Sequence, residues 1–340
     1  MARQVSLVIN GKAIQVASGD VLLDAAMRAG VGIPHDCSTG QCETCRVRVY
    51  DGEVDARGTQ RGDSVLACQA RICGDAVIEF DAVPEPLKVS GQVASILTLS
   101  PDIVEVTVSL GRDFIFLPGQ YVKCTFAGYP PRDYSPTLRN DGTGERNELI
   151  FQIRRLPGGA VSAHLGSRIE IGHKVSLHGP FGSAYHRPGT GRIVLVAAGT
   201  GWAPIWAIAR ASRYREPSRD MVVITGARDP RNLYMSAALA WLAATGVGRV
   251  VATASGGTSE SILTGRPTDH LPPLQPGDTV YVAGSPELVA AVELVCAEAG
   301  ATCHADPFFP AATTRSFKDR FLGLFSTRGS TGPAAQLPTS

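Results

Sequence analysis

A multidomain α+β chain is predicted, in the order small cysteine-bearing mixed module, antiparallel β domain and open parallel α/β domain. Three observations predict it. Cysteines at 37, 42, 45 and 68 fall in one early segment. Alternating apolar residues separated by Gly and Pro turns run from about 88 to 187, and from 192 continuous apolar strands alternate with helix-like stretches. At 340 residues the chain is too long for one ordinary core. A formal net charge of +1 gives no global field toward nucleic acid or an acidic membrane. The start, M-A-R-Q-V-S-L-V-I-N, lacks the apolar region of a signal peptide. The longest uncharged run, 193–209, holds G-T-G and Pro204 and falls short of a spanning helix. Eight cysteines in such a length are no disulfide framework, so a cytoplasmic protein with reduced thiols is expected, and a monomer.

In the first module Val5, Leu7 and Ile9 alternate, Asn10-Gly11 offers a type I′ turn, and Ile14 and Val16 continue a hairpin. Ser18 or Asp20 is expected to cap a helix bearing Leu22, Ala25, Ala26 and Ala29, stopped by Gly30. Residues 37–45 read C-S-T-G-Q-C-E-T-C, and Cys68 follows inside L-A-C-Q-A. Three thiolates from one loop and a fourth from elsewhere, spaced C-x4-C-x2-C...C, are what a plant-type 2Fe-2S cluster needs. Gly40 helps the loop bend its amides inward. The alternatives are a zinc site or four unrelated thiols, but zinc favours two C-x2-C-like pairs and only Cys42 and Cys45 are so spaced. Two strands, a helix and a cysteine loop in about 80 residues make a β-grasp module. Val83-Pro-Glu-Pro86 reads as a linker.

In the antiparallel part, Val104, Val106 and Val108 alternate, as do Leu149, Phe151 and Ile153. Arg132-Asp133-Tyr134-Ser135 places an Arg, an aromatic ring and a hydroxyl where they could meet a phosphate, a flat ring and a ring nitrogen; an Arg–Tyr pair on an ordinary strand reads the same way. Gly158-Gly159-Ala160-Val161-Ser162 opens a short helix through Leu165 that could receive pyrophosphate, or is a plain glycine turn with a Ser cap. Gly179-Pro180-Phe181-Gly182 closes a strand. In the last part, 193–198 reads as a parallel strand covered on both faces, followed by Gly199-Thr200-Gly201 and a helix from about Ala203 with Pro204 in its first turn. Strands at 221–225, 249–254 and 279–283 and helices at 236–244 and 286–299 complete an open sheet. Its ligand is expected beyond the strand carboxyl ends, where Gly199-Thr200-Gly201 and Gly284-Ser285-Pro286 lie.

Together these residues resemble the ferredoxin-NAD(P) reductase-like components of bacterial oxygenases, above all the reductases of aromatic-ring dioxygenases that carry an N-terminal ferredoxin. The resemblance rests on the cysteine pattern, P-G-Q-Y at 118–121, R-D-Y-S at 132–135, R-R-L-P-G-G-A-V-S at 154–162 and G-P-F-G at 179–182. It continues in A-G-T-G-W-A-P at 198–204, G-A-R-D-P-R-N-L-Y at 226–234 and H-A-D-P-F-F-P at 304–310.

The resemblance implies a plant-type ferredoxin domain (1–83), a six-stranded Greek-key β-barrel for FAD (88–188) and a nucleotide-binding α/β domain (190–310); residues 311–340 lie outside it and are expected to form a partly disordered tail. It implies that Cys37, Cys42, Cys45 and Cys68 ligate the cluster. Arg132 would hold an FAD phosphate, Tyr134 pack on the isoalloxazine and Ser135 bond near N5, while Gly159, Ala160, Val161 and Ser162 cradle the pyrophosphate. Gly199, Thr200, Gly201, Pro204, Gly284, Ser285 and Pro286 would contact the nicotinamide dinucleotide, and Phe308 would lie on the outer ring face until nicotinamide displaces it. Two positions depart from the pattern: Ala283 stands where relatives carry Cys, and Pro136 follows Ser135.

The implied activity is an NAD(P)H-dependent oxidoreductase feeding an oxygenase component or a separate ferredoxin. Nicotinamide gives two electrons, an iron–sulfur centre takes one, and a flavin holds either number. Geometry then suffices, with nicotinamide C4 over flavin N5 at about 3 to 3.5 Å, and no general acid is invoked. NADH is favoured over NADPH because Ala254-Ser255-Gly256-Gly257 carries no Arg or Lys for the extra phosphate, leaving only Arg228 and Arg231 to supply one. The competing readings are a stand-alone reductase of flavin, ferric or quinone acceptors, which has no use for a fused cluster, and a redox-sensing module, which has none for R-D-Y-S and G-T-G. Beyond Pro310, Phe317, Phe321 and Leu324 recur at helical spacing among basic residues, fit for packing back on the chain's own domain, for docking onto an oxygenase or for lying on a membrane surface.

Overall fold

The first sheet is built from the hairpin outward. In the computed structural model, which describes residues 3–143, 147–257 and 261–309, β1 (Gln4–Ile9) and β2 (Lys12–Ala17) pair antiparallel from Ile9↔Lys12. The two residues between them, Asn10 and Gly11, have φ +48 and +80, the pair of positive values a type I′ turn requires. α1 (Leu22–Arg28) follows, then β3 (Arg46–Asp55), β4 (Ser64–Leu66) and β5 (Arg71–Glu79), in the order β2-β1-β5-β3-β4. β1 lies parallel to β5, and the sheet packs Leu7, Ile9, Ile72 and Ile78 against Leu22, Leu23 and Ala26 of α1. Neither Ser18 nor Asp20 caps α1, because Val21 occupies the cap position: the Ser18 hydroxyl donates to the Cys73 carbonyl and Asp20 pairs with Arg28. Gly30 ends the helix at φ +68, as expected of its sequence position.

The second sheet comprises β6 (Leu87–Thr98), β7 (Ile103–Leu110), β8 (Tyr121–Phe126), β9 (Arg132–Tyr134), β10 (Glu148–Arg154) and β11 (Lys174–Phe181). Their order β10-β7-β6-β11-β8-β9 is all antiparallel, and the Thr137 amide bonds the Ile150 carbonyl at 2.9 Å across the remaining gap, nearly closing a six-stranded barrel. Val104, Val106 and Val108 fill the barrel as their alternation predicts. Glu105 and Thr107, on the other face of β7, are also buried, because the third sheet's domain covers them. Tyr234 from that domain donates to Gln152, the cross-strand partner of Glu105, at 2.9 Å.

The third sheet is parallel: β12 (Ile193–Ala198), β13 (Met221–Ala227), β14 (Arg249–Ala254), β15 (Leu263–Thr264), β16 (Thr279–Gly284) and β17 (Thr302–Pro307), ordered β15-β14-β13-β12-β16-β17. α2 (Trp202–Arg215) and α3 (Ser236–Ala244) cover Ile193, Leu195 and Ala197, while α4 (Pro286–Ala299) covers Val194 and Val196. That two-sided burial accounts for the unbroken apolar run of β12. The chain runs outward to one side from β12 to β15 and to the other through β16 and β17, so the order reverses between β12 and β16. A crevice at that reversal is where open α/β sheets bind ligands.

Candidate redox junction

The cysteine loop is bent by three residues with positive φ, Ser38 (+55), Gly40 (+83) and Glu43 (+56). Gly40 lies tight against a neighbour, since a Cβ there would sit 3.1 Å from Gln69 Cγ. The Cys42 amide points at Cys37 Sγ (3.4 Å), as does that of Thr39 (3.3 Å), and the Cys37 amide points at Cys42 Sγ (3.4 Å). Burial works against ionising Cys37, but the hydrogen bonds from Thr39 and Cys42 outweigh it and bring the thiol down to about 6. Burial pushes the Cys42 and Cys45 thiols up, and Cys45 bonds to Cys68. The four sulfurs therefore fall into two pairs, Cys37 with Cys42 and Cys45 with Cys68, and among the described residues no three His, Cys, Asp or Glu side chains converge on one point. Two pairs fit two bridged irons better than one tetrahedral zinc.

β9 presents R-D-Y-S at the barrel edge. Cys124↔Arg132 and Val122↔Tyr134 put Arg132 and Tyr134 on one face, and the Tyr134 ring lies 6.0 Å from that of Phe151. Asp133 faces the other way and pairs with Lys123 at 2.8 Å. The Arg132 guanidinium rests on the Pro131 carbonyl at 2.7 Å. The Ser135 hydroxyl lies 3.5 Å from Asp306 Oδ2 at the end of β17. Burial pushes the Asp306 carboxyl up to about 7, against the lowering pull of the Ser135 hydroxyl. Gly158 to Ser162 does not open a helix through Leu165: only one 3-10 turn, Ser162–His164, forms, and Leu165 is extended. Val161 is drawn into the barrel core and the Ser162 hydroxyl accepts from the Leu156 amide at 3.2 Å, which folds the segment back on itself. A Cβ on Gly159 would meet that hydroxyl at 2.6 Å. Among the described residues the Ala160 and Val161 amides donate to no other protein group, so they remain able to meet an anion.

The two glycine turns of the parallel sheet meet at the reversal point. Gly199–Gly201 forms a 3-10 turn after β12, with Trp202 and Pro204 opening α2, and Ser285 caps α4 through the Leu288 amide with Pro286 in its first turn. A Cβ on Gly201 would lie 2.1 Å from the Ala283 carbonyl oxygen, whereas Gly199 (φ +56) faces open space. Ala283 thus contacts the first turn through its carbonyl, and its methyl is buried. The Phe308 amide donates to the Gly284 carbonyl at 2.7 Å, setting Phe308 beside the second turn and two residues from Asp306. The Gly201→Ala variant is expected to lose about 2 to 3 kcal/mol of stability by overpacking. Its KM for the dinucleotide should rise, and thermal midpoint with initial rates checks both.

Of the two basic residues on the loop after β13, Arg231 is already engaged by Asp229 (2.6 Å). Arg228 is exposed, its carbonyl accepting from the Gly256 amide at 2.7 Å. The motif around them instead seals two domains: Asn232 donates to Asp102 at 3.0 Å, and the Tyr234 carbonyl accepts from Asn140 at 3.0 Å.

The structure brings the cysteine loop, β9 and the turn after β16 to one junction. Thr44 Oγ1, beside Cys45, accepts from the Gly182 amide at 3.1 Å, and Tyr121 donates to Asp36 at 3.0 Å. Lys123 links Asp36 (3.5 Å) to Asp133 of β9. On the linker side Asp81 receives Tyr185 (2.6 Å) and Arg187 (2.9 Å), and Arg187 also reaches His304 Nδ1 at 3.4 Å. Sequence reasoning missed Asp36, Thr44, Asp81 and Asp306. Asp306 stood inside a quoted motif, but its burial beside Ser135 has no local signature.

Family models match all three parts: a 2Fe-2S iron-sulfur cluster binding domain over residues 7–73, an oxidoreductase FAD-binding domain over 90–186 and an oxidoreductase NAD-binding domain over 195–294. The reductase component of the naphthalene 1,2-dioxygenase system of Pseudomonas putida is 32% identical, with 88% of this chain and 97% of that protein covered. The reductase subunit of an aromatic O-demethylase from Amycolatopsis is 32% identical over 83% of this chain and 91% of its own. The crystal structure of an Amycolatopsis cytochrome P450 reductase superposes with a TM-score of 0.68 at 28% identity, covering 91% of this chain and all of that one. The chain belongs to the ferredoxin–NAD(P)+ reductase components of bacterial oxygenase systems.

Proposed function

We propose that this protein oxidises NADH and delivers electrons singly, through a 2Fe-2S cluster held by Cys37, Cys42, Cys45 and Cys68, to an oxygenase component or its separate ferredoxin. The observation that carries this reading is the junction itself. Ser135 meets Asp306, Thr44 meets Gly182 and Lys123 joins Asp36 to Asp133, so the three parts that would hold flavin, nucleotide and cluster share one contact region. A flavin bound there supplies the exchange between two-electron and one-electron chemistry.

The residues present fit these groups. Tyr134 offers a ring face and Arg132 a cation on one side of β9, Ala160 and Val161 offer amides, and Ser135 offers a hydroxyl backed by Asp306. Phe308, fixed through its amide to Gly284, would cover the ring until nicotinamide takes its place. Ser135 and Asp306 would take up the proton released when electrons leave one at a time, a role the sequence reading did not assign. Eight cysteines with no disulfide among them fit a reducing cytoplasm, and no described helix is long and apolar enough to cross a membrane.

NADH is the proposed donor because Arg231 is held by Asp229 and the turn after β14 has no basic side chain. The purified protein should show kcat/KM for NADH at least about tenfold above NADPH. Its yellow and red-brown absorption should bleach with NADH, and it should then reduce cytochrome c. Absorption that fails to bleach would sink the reading, and a preference for NADPH would sink the choice of donor.

A further inference from the structure

Glu43 lies inside the cluster loop, between Cys42 and Cys45, with φ +56. Its carboxylate is held from two sides, by Arg46 at 3.3 Å and by Arg61 Nη1 at 2.8 Å. The second Arg61 nitrogen, Nη2, lies 2.7 Å from Glu293 Oε1 on α4. α4 is the helix that begins at the second glycine turn of the nucleotide-binding part. Arg61 therefore stands between two carboxylates from different domains. The Glu43 side chain is 11% exposed and that of Glu293 25%, so neither is fully solvated. Burial pushes the Glu293 carboxyl up, Arg61 pulls it down, and Glu43 raises it again, so the two acids repel unless the guanidinium sits between them.

We propose that Arg61 is a positioning residue that straps the 2Fe-2S domain to α4 and keeps residues 37–45 seated on the barrel edge. The inference rests on the electron-relay reading above. The strap attaches at Glu43, next to Thr44, whose hydroxyl accepts from the Gly182 amide and helps join the loop to the barrel. With the strap cut, the loop end of the domain keeps the Asp36–Tyr121 and Thr44–Gly182 bonds to the barrel and loses its charged tie to the nucleotide-binding part. An isolated exposed ion pair contributes little. Here one cation serves two partly buried acids, and removing it leaves Glu293 without its paired cation and Glu43 with Arg46 alone.

The test uses the holoenzyme with Arg61→Gln, Glu293→Gln and the double variant. Two measurements are made: protease cleavage in the 81–86 linker, and rapid-mixing absorbance separating flavin reduction by NADH from cluster reduction. Each single variant should speed cleavage about 5- to 10-fold and slow cluster reduction by a similar factor, with flavin reduction unchanged. The double variant should be no worse than either single one, since all three residues form one unit. Additive effects overturn the proposal, as does a Glu293→Gln protein that matches the parent in both measurements, whether or not Arg61→Gln keeps its cluster. Faster cleavage in a protein that never reduces its cluster would separate a correct strap from a failed relay.

Discussion

Replacing Cys68 by Ser should abolish delivery of electrons to one-electron protein acceptors while leaving NADH oxidation intact. Cys68 is buried, paired with Cys45, and approached by Gln69 Nε2 at 3.5 Å. It comes from a turn held to the other ligands by the Ala67 amide, which donates to the Cys45 carbonyl at 2.9 Å. Because Cys68 lies far along the chain from residues 37–45, its loss leaves that loop's own hydrogen bonds standing and removes only the fourth thiolate. A serine hydroxyl is a much poorer iron ligand at neutral pH, so the red-brown absorption should largely disappear. Cytochrome c reduction should fall about 100-fold or more, while reduction of a small quinone taken directly from the flavin stays within about twofold. Cys73 is the control: it is an exposed thiol on β5, and Cys73→Ser should change neither. A Cys68→Ser protein that keeps its colour, or a Cys73→Ser protein that loses it, would sink the ligand assignment.

What could be read from the chain followed from local rules. The hairpin at Asn10-Gly11, the helices at 236–244 and 286–299 and the buried strand at 193–198 each carry their signal within a few residues. The cysteine spacing likewise encodes its own chemistry. Illegible parts depend on which domain covers which face. β7 reads as an ordinary alternating strand, yet Glu105 and Thr107 are buried because a second domain lies over them. The caps expected of Ser18 and Asp20 fail because each side chain has a nearer partner across the sheet or along the helix. The glycine segment at 158–162 has the composition of a helix start, but Val161 is pulled into the barrel and only a 3-10 turn survives. G-A-R-D-P-R-N-L-Y invites a nucleotide reading, while its Asn232 and Tyr234 join domains.

Exchange of Asp306 for Asn should flatten part of the dependence of stability on pH. Asp306 is raised from 3.8 to about 7, with burial the leading cause. Between those values the unfolded chain has given up the proton and the folded chain still holds it. Stability from this group is therefore present below about pH 4 and is lost as pH rises toward 7, then stays level. At 1.36 kcal/mol per unit the whole change is about 4 kcal/mol, an upper bound because the enclosing site relaxes. His304 acts in the opposite sense: burial pushes its imidazole down to about 3, so its contribution is lost as pH falls from its ordinary value. The two overlap in the same window, and the parent alone would show only their sum. Asn keeps a carbonyl oxygen for the Ser135 hydroxyl and cannot titrate, so the difference between parent and variant isolates Asp306. The variant should gain on the parent steadily from about pH 4 to 7 in denaturation midpoints, by a few kcal/mol in all. With flavin bound, reoxidation by one-electron acceptors should slow by roughly 10- to 100-fold because Ser135 has no carboxylate behind it to take up the released proton, and flavin reduction by NADH should change little. A constant stability difference across the window would show that the Asp306 carboxyl is ionised like any surface acid, and would remove the reason to give it a proton to carry.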